Sequence, residues 1–513
     1  MISAKANGDN MNQVSEKLAH SLQQLKLLQD SGIIAVQSKM LERTDRERLT
    51  KHGFIKEVMR GWYIPSSPDE KQGDSTAWYT SFWGFCGAYL DGRLEQNWCL
   101  SPEQSIQILI GDKTVPPQLL VRSPKGRNKP TALLHNTSVF DIRSAMPEQA
   151  QLTKVDGLRV YSLEASLVHC AKTTFAQKPI QMRTLLSMVT DASEVLSVLL
   201  HGGHVASAGR LAGAFRNIGR DLIANNIIKG MIAADFKVKE VDPFEDVTEI
   251  TFGRREVSPY VNRLRLLWQS MRTDVITHFP DVTDIKINVQ GYLNEVEDKF
   301  VNDAYHSLSI EGYRVTHELI EQVRSGNWNP EQSDDNRKHL DAMAAKGYWD
   351  AFQQVKLAVE RVLNGENAGE VFEATHADWH LALFGPSVGA GIIKQSDLAG
   401  YRTGPVYIRK SKHTPPTRAA VRDMMPALFD LLMEEDNSAV RVVLGHFIFV
   451  YIHPYFDGNG RMGRFIMNLM MAAGGYSWTV VPVEQRSEYM EALEAASVEQ
   501  NITPFTKFLA SLL

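Results

Sequence analysis

Two apolar runs near the C-terminus constrain this chain more than any other feature. Val442–Ile452 and Phe465–Ala473 are dense in Val, Ile, Leu, Phe and Met, and the twelve residues between them, His453–Arg464, are not. Such runs belong in a core, so the chain must bring two buried helices together and turn sharply between them. Gly445, His446 and Asn468 interrupt the runs. Each falls short of the ~20 residues a membrane span needs. The N-terminal stretch MISAKANGDNMNQ is polar and reads as no secretory signal. A soluble, cytoplasmic protein with no membrane partner is expected.

The turn itself carries the chemistry. It reads His453-Pro454-Tyr455-Phe456-Asp457-Gly458-Asn459-Gly460-Arg461-Met462-Gly463-Arg464. Taken piecemeal, Asp-Gly and Asn-Gly are common turn dipeptides and His453 is a helix cap. Taken together they do more. Gly458 and Gly460 let backbone N–H groups converge just where a new helix begins, which makes an anion cradle. Arg461 and Arg464 stand three apart, on one face above that cradle, and suit a polyphosphate. Asp457 beside phosphate is a natural Mg²⁺ ligand. His453 is a natural general base for a hydroxyl nucleophile. Base, metal ligand, cradle and phosphate arginines together point to nucleotidyl or phosphoryl transfer.

The rest of the chain, 513 residues, has room for about three or four domains. Val14, Leu18, Leu22, Leu25 and Leu28 predict a first helix that stops at Ser31-Gly32. Two short helices follow, Lys39–Arg43 with Ser38 as cap and Asp45–His52 with Thr44 or Asp45 as cap. FIKEVMRGWYIP then predicts a hairpin turning at Arg60-Gly61. Three short helices and a hairpin are the pattern of a winged helix. Arg43, Arg46, Arg48, Lys51 and Arg60 make this region basic. That suits a helix docking on double-stranded DNA, and equally a solvated charged helix pair used for protein contacts. Lys plus Arg is 55 against 60 Asp plus Glu, a net charge of -5. Such a chain is no generic polyanion binder, but the total does not bear on a local patch. Residues 75–190 read as mixed α/β, with SIQILIG, PQLLVRS and GLRVYSL as β-type runs and Leu167–Leu199 as helix. Cys86, Cys99 and Cys170 form no CxxC pair, against a zinc ribbon or a disulfide framework. A boundary is expected over Asp242-Pro243 and the charged FEDVTEITFGRREVSP, and helices beyond it.

The segment His453–Arg464 resembles the Fic motif, H-P-F-x-[DE]-G-N-G-R-x-x-R, with Tyr455 where Phe is usual. Upstream, AGYRTGPVYIRKSKHTPP resembles the Fic flap, a β-hairpin that holds a target by strand addition. That places Thr403, Gly404, Pro405, Val406, Tyr407 and Ile408 at the target. Ser307-Leu308-Ser309-Ile310-Glu311-Gly312 is similar to the inhibitory motif [ST]-x-x-x-E-[GN] of the same family. The resemblance covers residues 290–513 or so and implies a protein adenylyltransferase using ATP and Mg²⁺. His453 would deprotonate a Ser, Thr or Tyr hydroxyl of a target protein. Asp457 would hold the metal. Gly458, Asn459 and Gly460 would steady the α- and β-phosphates, and Arg461 and Arg464 the β/γ end. Ser307, Glu311 and Gly312 would form a brake, with Glu311 in the γ-phosphate's place. Related braked proteins often self-associate, so a homo-oligomer is compatible with the resemblance.

Residues 14–175 resemble AbiEi-type antitoxins, through LKLLQDSGIIAV, SKMLERTDRERLTKHGF, RGWYIP and VYSLEASLVHCAKT. This implies DNA binding and no catalysis. The expected fold is multidomain: a winged helix over 1–70, an α/β domain over 71–240, a helical region with the inhibitory helix over 241–340, and an all-α Fic core with a β-hairpin flap over 341–513. Two other readings stay open. One is a winged-helix transcriptional regulator or antitoxin-like protein whose Fic half senses ATP. The other is a Fic enzyme that uses another nucleotide or removes AMP.

Overall fold

The computed structural model describes residues 2–70, 74–190, 192–244, 258–282, 288–328, 336–393 and 400–513, with side chains described from residue 16 onward apart from 336–338. The chain divides into two compact units, Met1–Glu256 with Tyr407–Thr414, and Val257–Val406 with Pro415–Leu513. The division lies inside the stretch read as a boundary, beyond Asp242-Pro243. Val241 N–H still donates to Gly209 C=O at 3.1 Å, inside the first unit. Most of the charged stretch read as a boundary, residues 245–257, lies outside the described residues.

The N-terminal unit opens with helix α1 (Ile2–Asp30), strand β1 (Val36–Gln37), a 3-10 turn (Ser38–Met40), α2 (Arg43–Lys51) and the hairpin β2 (Ile55–Met59) and β3 (Trp62–Pro65). The three strands pair antiparallel in the order β1-β3-β2. Leu25, Val36, Leu41, Leu49 and Ile55 form a small core beneath them. The helix expected over Lys39–Arg43 is thus only a 3-10 turn. Neither Thr44 nor Asp45 caps α2, which begins at Glu42 with no side-chain cap. Asp45 is buried and accepts instead from the Ser21 hydroxyl at 2.7 Å and from Arg48 Nη1 at 3.0 Å.

Next come α3 (Thr76–Leu94), β4 (Cys99–Leu100), α4 (Pro102–Leu109), β5 (Gln118–Ser123), β6 (Pro130–Ala132), β7 (Ser138–Arg143), β8 (Leu152–Val155) and β9 (Leu158–Tyr161). One sheet runs β4-β5-β7-β6, with β5 and β7 parallel, and β8-β9 is a hairpin. Trp78, Phe82, Phe85 and Leu90 of α3 pack on Val121 and Val139 of the sheet. SIQILIG is a correction: it is helix α4, not a strand. Ser101 accepts the Gln104 N–H at 3.2 Å and Pro102 occupies the first turn, so capping outweighs the β-branched isoleucines. Helices α5 to α10 follow (Leu163–His169, Thr173–Gln177, Pro179–Ser187, Ser193–Gly202, Val205–Asn217 and Asp221–Ala233). Cys86, Cys99 and Cys170 are buried free thiols.

Among the described residues of the C-terminal unit, the regular elements are all helices. Its helices are α11 (Pro259–His278), α12 (Val289–Ile310), α13 (His317–Arg324), α14 (Asn336–Leu363), α15 (Ala368–Gly389), α16 (Arg418–Glu434), α17 (Ser438–Ile452), α18 (Asn459–Gly474), α19 (Arg486–Val498) and α20 (Thr503–Ala510). The two apolar runs are α17 and α18. Residues 442–449 and 461–472 are buried without interruption. At roughly 1.5–3 kcal/mol for each large apolar side chain removed from water, this pair anchors the unit and fixes where its connecting loop sits. No helix among the described residues is long and apolar enough to cross a membrane.

The flap hairpin does not form. Residues 400–416 hold no strand ladder, and Ala399 lies outside the described residues. Their main-chain groups bond elsewhere. Arg402 N–H donates to Pro454 C=O at 2.9 Å within the C-terminal unit. Tyr407 to Thr414 belong to the N-terminal unit, where Arg409 pairs with Asp74 at 2.7 Å, Lys410 N–H meets Thr76 Oγ1 at 3.2 Å, and Lys412 C=O accepts from Val115 N–H at 3.1 Å. The six expected target residues are therefore split: Thr403, Gly404, Pro405 and Val406 fall in one unit, Tyr407 and Ile408 in the other.

Candidate active site

Helix α17 ends on His453, whose φ of +52° is left-handed. Its Nδ1 lies 3.1 Å from Val450 C=O. A carbonyl only accepts, so Nδ1 carries the proton and Nε2 keeps its lone pair. Burial pulls the imidazole pKa down to about 4, and the Arg402 guanidinium acts in the same sense. His453 is therefore a neutral base at neutral pH.

The loop to α18 is braced from inside. The Tyr455 ring is buried and stacks on His380 at 3.8 Å, with the planes 8° apart. Its phenol is accommodated where a phenylalanine is usual. Asn459 accepts from Tyr455 N–H at 3.0 Å and donates to Tyr455 C=O at 2.8 Å. Its side-chain amide thus braces the loop from within. Gly458 precedes α18 at φ +84°, and a Cβ there would meet Phe384 at 2.8 Å, so only glycine suits the turn. Asp457 is largely exposed. Its Oδ1 accepts the Gly458 N–H at 2.6 Å and lies 3.4 Å from Arg461 Nη2.

Helix α18 then opens with the amides of Asn459, Gly460 and Arg461, which have no acceptor within the helix. Arg461 is only 1% exposed and lies between two rings, Phe384 at 4.8 Å and Tyr313 at 5.4 Å. Arg464 is buried as well. Its Nε donates to Ser307 Oγ at 2.8 Å, and its Nη2 to Ser307 C=O at 3.0 Å and to Glu311 Oε1 at 2.7 Å. Its Nη1 has no partner among the described residues. Burial works against the Arg464 charge, and the Glu311 carboxylate outweighs it.

Ser307, Glu311 and Gly312 lie at the end of α12. Gly312, at φ +92°, turns the chain away from the helix toward Tyr313. A Cβ on Gly460 would sit 2.3 Å from Glu311 Oε1. The carboxylate thus rests on the first turn of α18 and on Arg464 at once, where helix dipole and guanidinium both favour negative charge. One turn back, Asp303 accepts from the Tyr348 hydroxyl at 2.8 Å, and burial pushes its pKa up to about 6.

The site fits a polyphosphate. It offers three helix-opening amides, an unpartnered buried Arg464 Nη1, and a glycine where any side chain would fill the cradle. Asp457 suits Mg²⁺, which keeps most of its water and takes one or two carboxylates beside phosphate oxygens. Among the described residues no group of three or more His, Cys, Asp or Glu is arranged as a metal site by itself.

Four side chains at this site escape a reading of the sequence: Phe384, Tyr313, His380 and Arg402. Each arrives from a distant helix or loop and carries no local pattern. The basic residues of the N-terminal unit are brought together only in part. Arg43 pairs with Glu47 at 2.7 Å. Arg46 donates to Ser38 C=O at 2.9 Å, and Arg48 to Ser21 Oγ, Asp45 and Lys17 C=O. Arg46 and Arg48 thus each make hydrogen bonds inside the unit. Lys51 and Arg60 stay exposed.

Residues 377–471 match the model of the Fic/DOC family. The protein adenylyltransferase Fic of Drosophila willistoni is 36% identical over 114 residues, 21% of this chain and 22% of that protein. The protein adenylyltransferase fic-1 of Caenorhabditis briggsae is 34% identical over 113 residues, 21% of this chain and 22% of that protein. The chain spans about a fifth of the length of these curated relatives. Among solved structures, a Fic-1 fragment from C. elegans aligns with 62% of this chain and 89% of its own, at 17% identity and a TM-score of 0.35.

Proposed function

We propose that this chain is a protein adenylyltransferase, restrained by Glu311, that moves AMP from ATP to a Ser, Thr or Tyr hydroxyl of a target protein. One observation carries the reading. The Glu311 carboxylate, on Arg464 and against Gly460, marks where an anionic end group is held. The matched relatives, named adenylyltransferases, support the same chemistry.

The steps follow from the side chains. His453 Nε2 accepts the hydroxyl proton as the oxygen attacks the α-phosphorus of ATP. The new O–P bond forms as the bond to the α,β-bridging oxygen breaks, and pyrophosphate leaves. The α18 amides take up charge on the phosphates. Arg464 would hold the γ-phosphate once Glu311 withdraws. Asp457 would hold Mg²⁺, which neutralises phosphate charge when bound. The protein supplies position and electrostatics and forms no covalent intermediate.

With Glu311 in place, the γ-phosphate and the carboxylate compete for one guanidinium. ATP then sits with its α-phosphate out of line. Incubating the Glu311→Gly chain with α-labelled ATP and Mg²⁺ tests this. Label should appear on protein, and His453→Ala in the same background should abolish it. Equal labelling with and without His453 would reject the mechanism.

A further inference from the structure

Arg402 is an unusual buried cation. It is 1% exposed, and among the described residues it pairs with no carboxylate. Among the described residues, all of its side-chain hydrogen bonds go to backbone carbonyls. Nε donates to His453 C=O at 2.7 Å and Nη1 to Gly404 C=O at 3.1 Å. Nη2 donates to Pro416 C=O and, at 3.4 Å, to Ile452 C=O. Its own N–H donates to Pro454 C=O at 2.9 Å. Burial draws its pKa down to about 10.

A buried charge without a counterion is expensive unless the surrounding dipoles replace water. Here they do. The Ile452 and His453 carbonyls end α17, where the helix concentrates partial negative charge and leaves acceptors unsatisfied. The other two carbonyls bracket the stretch that leaves the α17 terminus at residue 404 and returns at residue 416. One planar fork therefore ties together three things: the end of α17, the left-handed backbone of His453, and the chain at Gly404 and Pro416. A lysine would carry the charge but not the fork. L residues resist the left-handed backbone, so His453 keeps it only because its surroundings enforce it.

We propose that Arg402 is a positioning residue, which fixes the His453 backbone against Gly404 and Pro416 so that the base meets the acceptor hydroxyl. It touches neither nucleotide nor reacting atoms. The proposal rests on the adenylyltransferase reading, and the test separates the two. The parent is the full chain carrying Glu311→Gly, with α-labelled ATP and the chain itself as the AMP acceptor. If the parent transfers no label, that reading has failed. If it transfers, Arg402→Lys and Arg402→Met are compared with it for transfer rate and for ATP affinity. Misplaced reacting groups lose rate without losing nucleotide. The rate should fall on the order of tenfold to a hundredfold in both variants, with the ATP dissociation constant moving by less than about threefold. An Arg402→Lys rate within about twofold of the parent overturns the proposal. So does an ATP affinity that falls as far as the rate, unfolding included, because that outcome assigns Arg402 to stability alone.

Discussion

Replacing Glu311 by glycine removes one contact whose worth follows from its geometry. Glu311 Oε1 and Arg464 Nη2 are 2.7 Å apart, with side chains 28% and 3% exposed. Two unit charges about 4 Å apart at an effective dielectric of about 20 attract by ~4 kcal/mol before desolvation is counted. A hydrogen bond to a charged group nets about 1.5–3 kcal/mol once water is counted. That is what a γ-phosphate must displace to reach Arg464. At about 1.4 kcal/mol per decade it corresponds to a roughly 10- to 150-fold rise in productive nucleotide complex. The assay is initial-rate transfer from α-labelled ATP by wild type and Glu311→Gly at equal protein and subsaturating ATP. Glu311→Gln, which keeps a hydrogen bond and loses the charge, should fall between them. Equal rates for wild type and Glu311→Gly would refute the argument, because the ion pair would then hold nothing back.

Other expectations are independent of that contact. His453 acts as a base only when neutral, and its pKa is about 4. The acid limb of kcat/KM should therefore lie near pH 4, with activity lost only as pH falls through it. Glu311 raises that pKa, so the limb should lie lower still in Glu311→Gly. A limb at the ordinary histidine value would show that the ring is not held as described. Gly458→Ala forces a side chain into a left-handed turn and against Phe384, which should cost about 1–2 kcal/mol and lower the melting temperature. An unchanged melting curve would contradict the assigned backbone. Arg48→Ala should destabilise the N-terminal unit by about 1–3 kcal/mol, since it leaves the buried Asp45 with the Ser21 hydroxyl but no cation. Arg43→Ala, which removes only an exposed pair, should change stability by less than about 1 kcal/mol. Equal effects in chemical denaturation would undo that distinction.

What the sequence made legible was local. The turn between α17 and α18 is a short stretch whose helix start, glycines and charges are all adjacent, and its organisation is plain without any contact map. Glu311 is different. Its spacing from Ser307 says little alone, and only a family resemblance brought it to Arg464, 153 residues away. Arg402 was hidden in a stretch read as a hairpin because extended residues look alike whether they pair with each other or with distant partners. SIQILIG misled for a related reason. Residues 104–108 are buried on every side, so the helical period vanishes and the isoleucines at every second position imitate a strand. Asn459 has a part that its place in the loop does not announce, since its side-chain amide braces Tyr455 from within. Composition marked α2 as basic, yet Arg46 and Arg48 are bound to their own unit. Charge counts do not reveal which guanidinium groups also make contacts within the unit.

The central claim is the transfer of an adenylyl group, and the position of the label in ATP decides it. Glu311→Gly chain is incubated with Mg²⁺ and ATP labelled at the α-phosphate in one arm and at the γ-phosphate in the other. The account predicts label on protein from the α-position and none from the γ-position, with pyrophosphate released. Label on protein from the γ-position would contradict it, because the site would then be transferring a phosphoryl group instead.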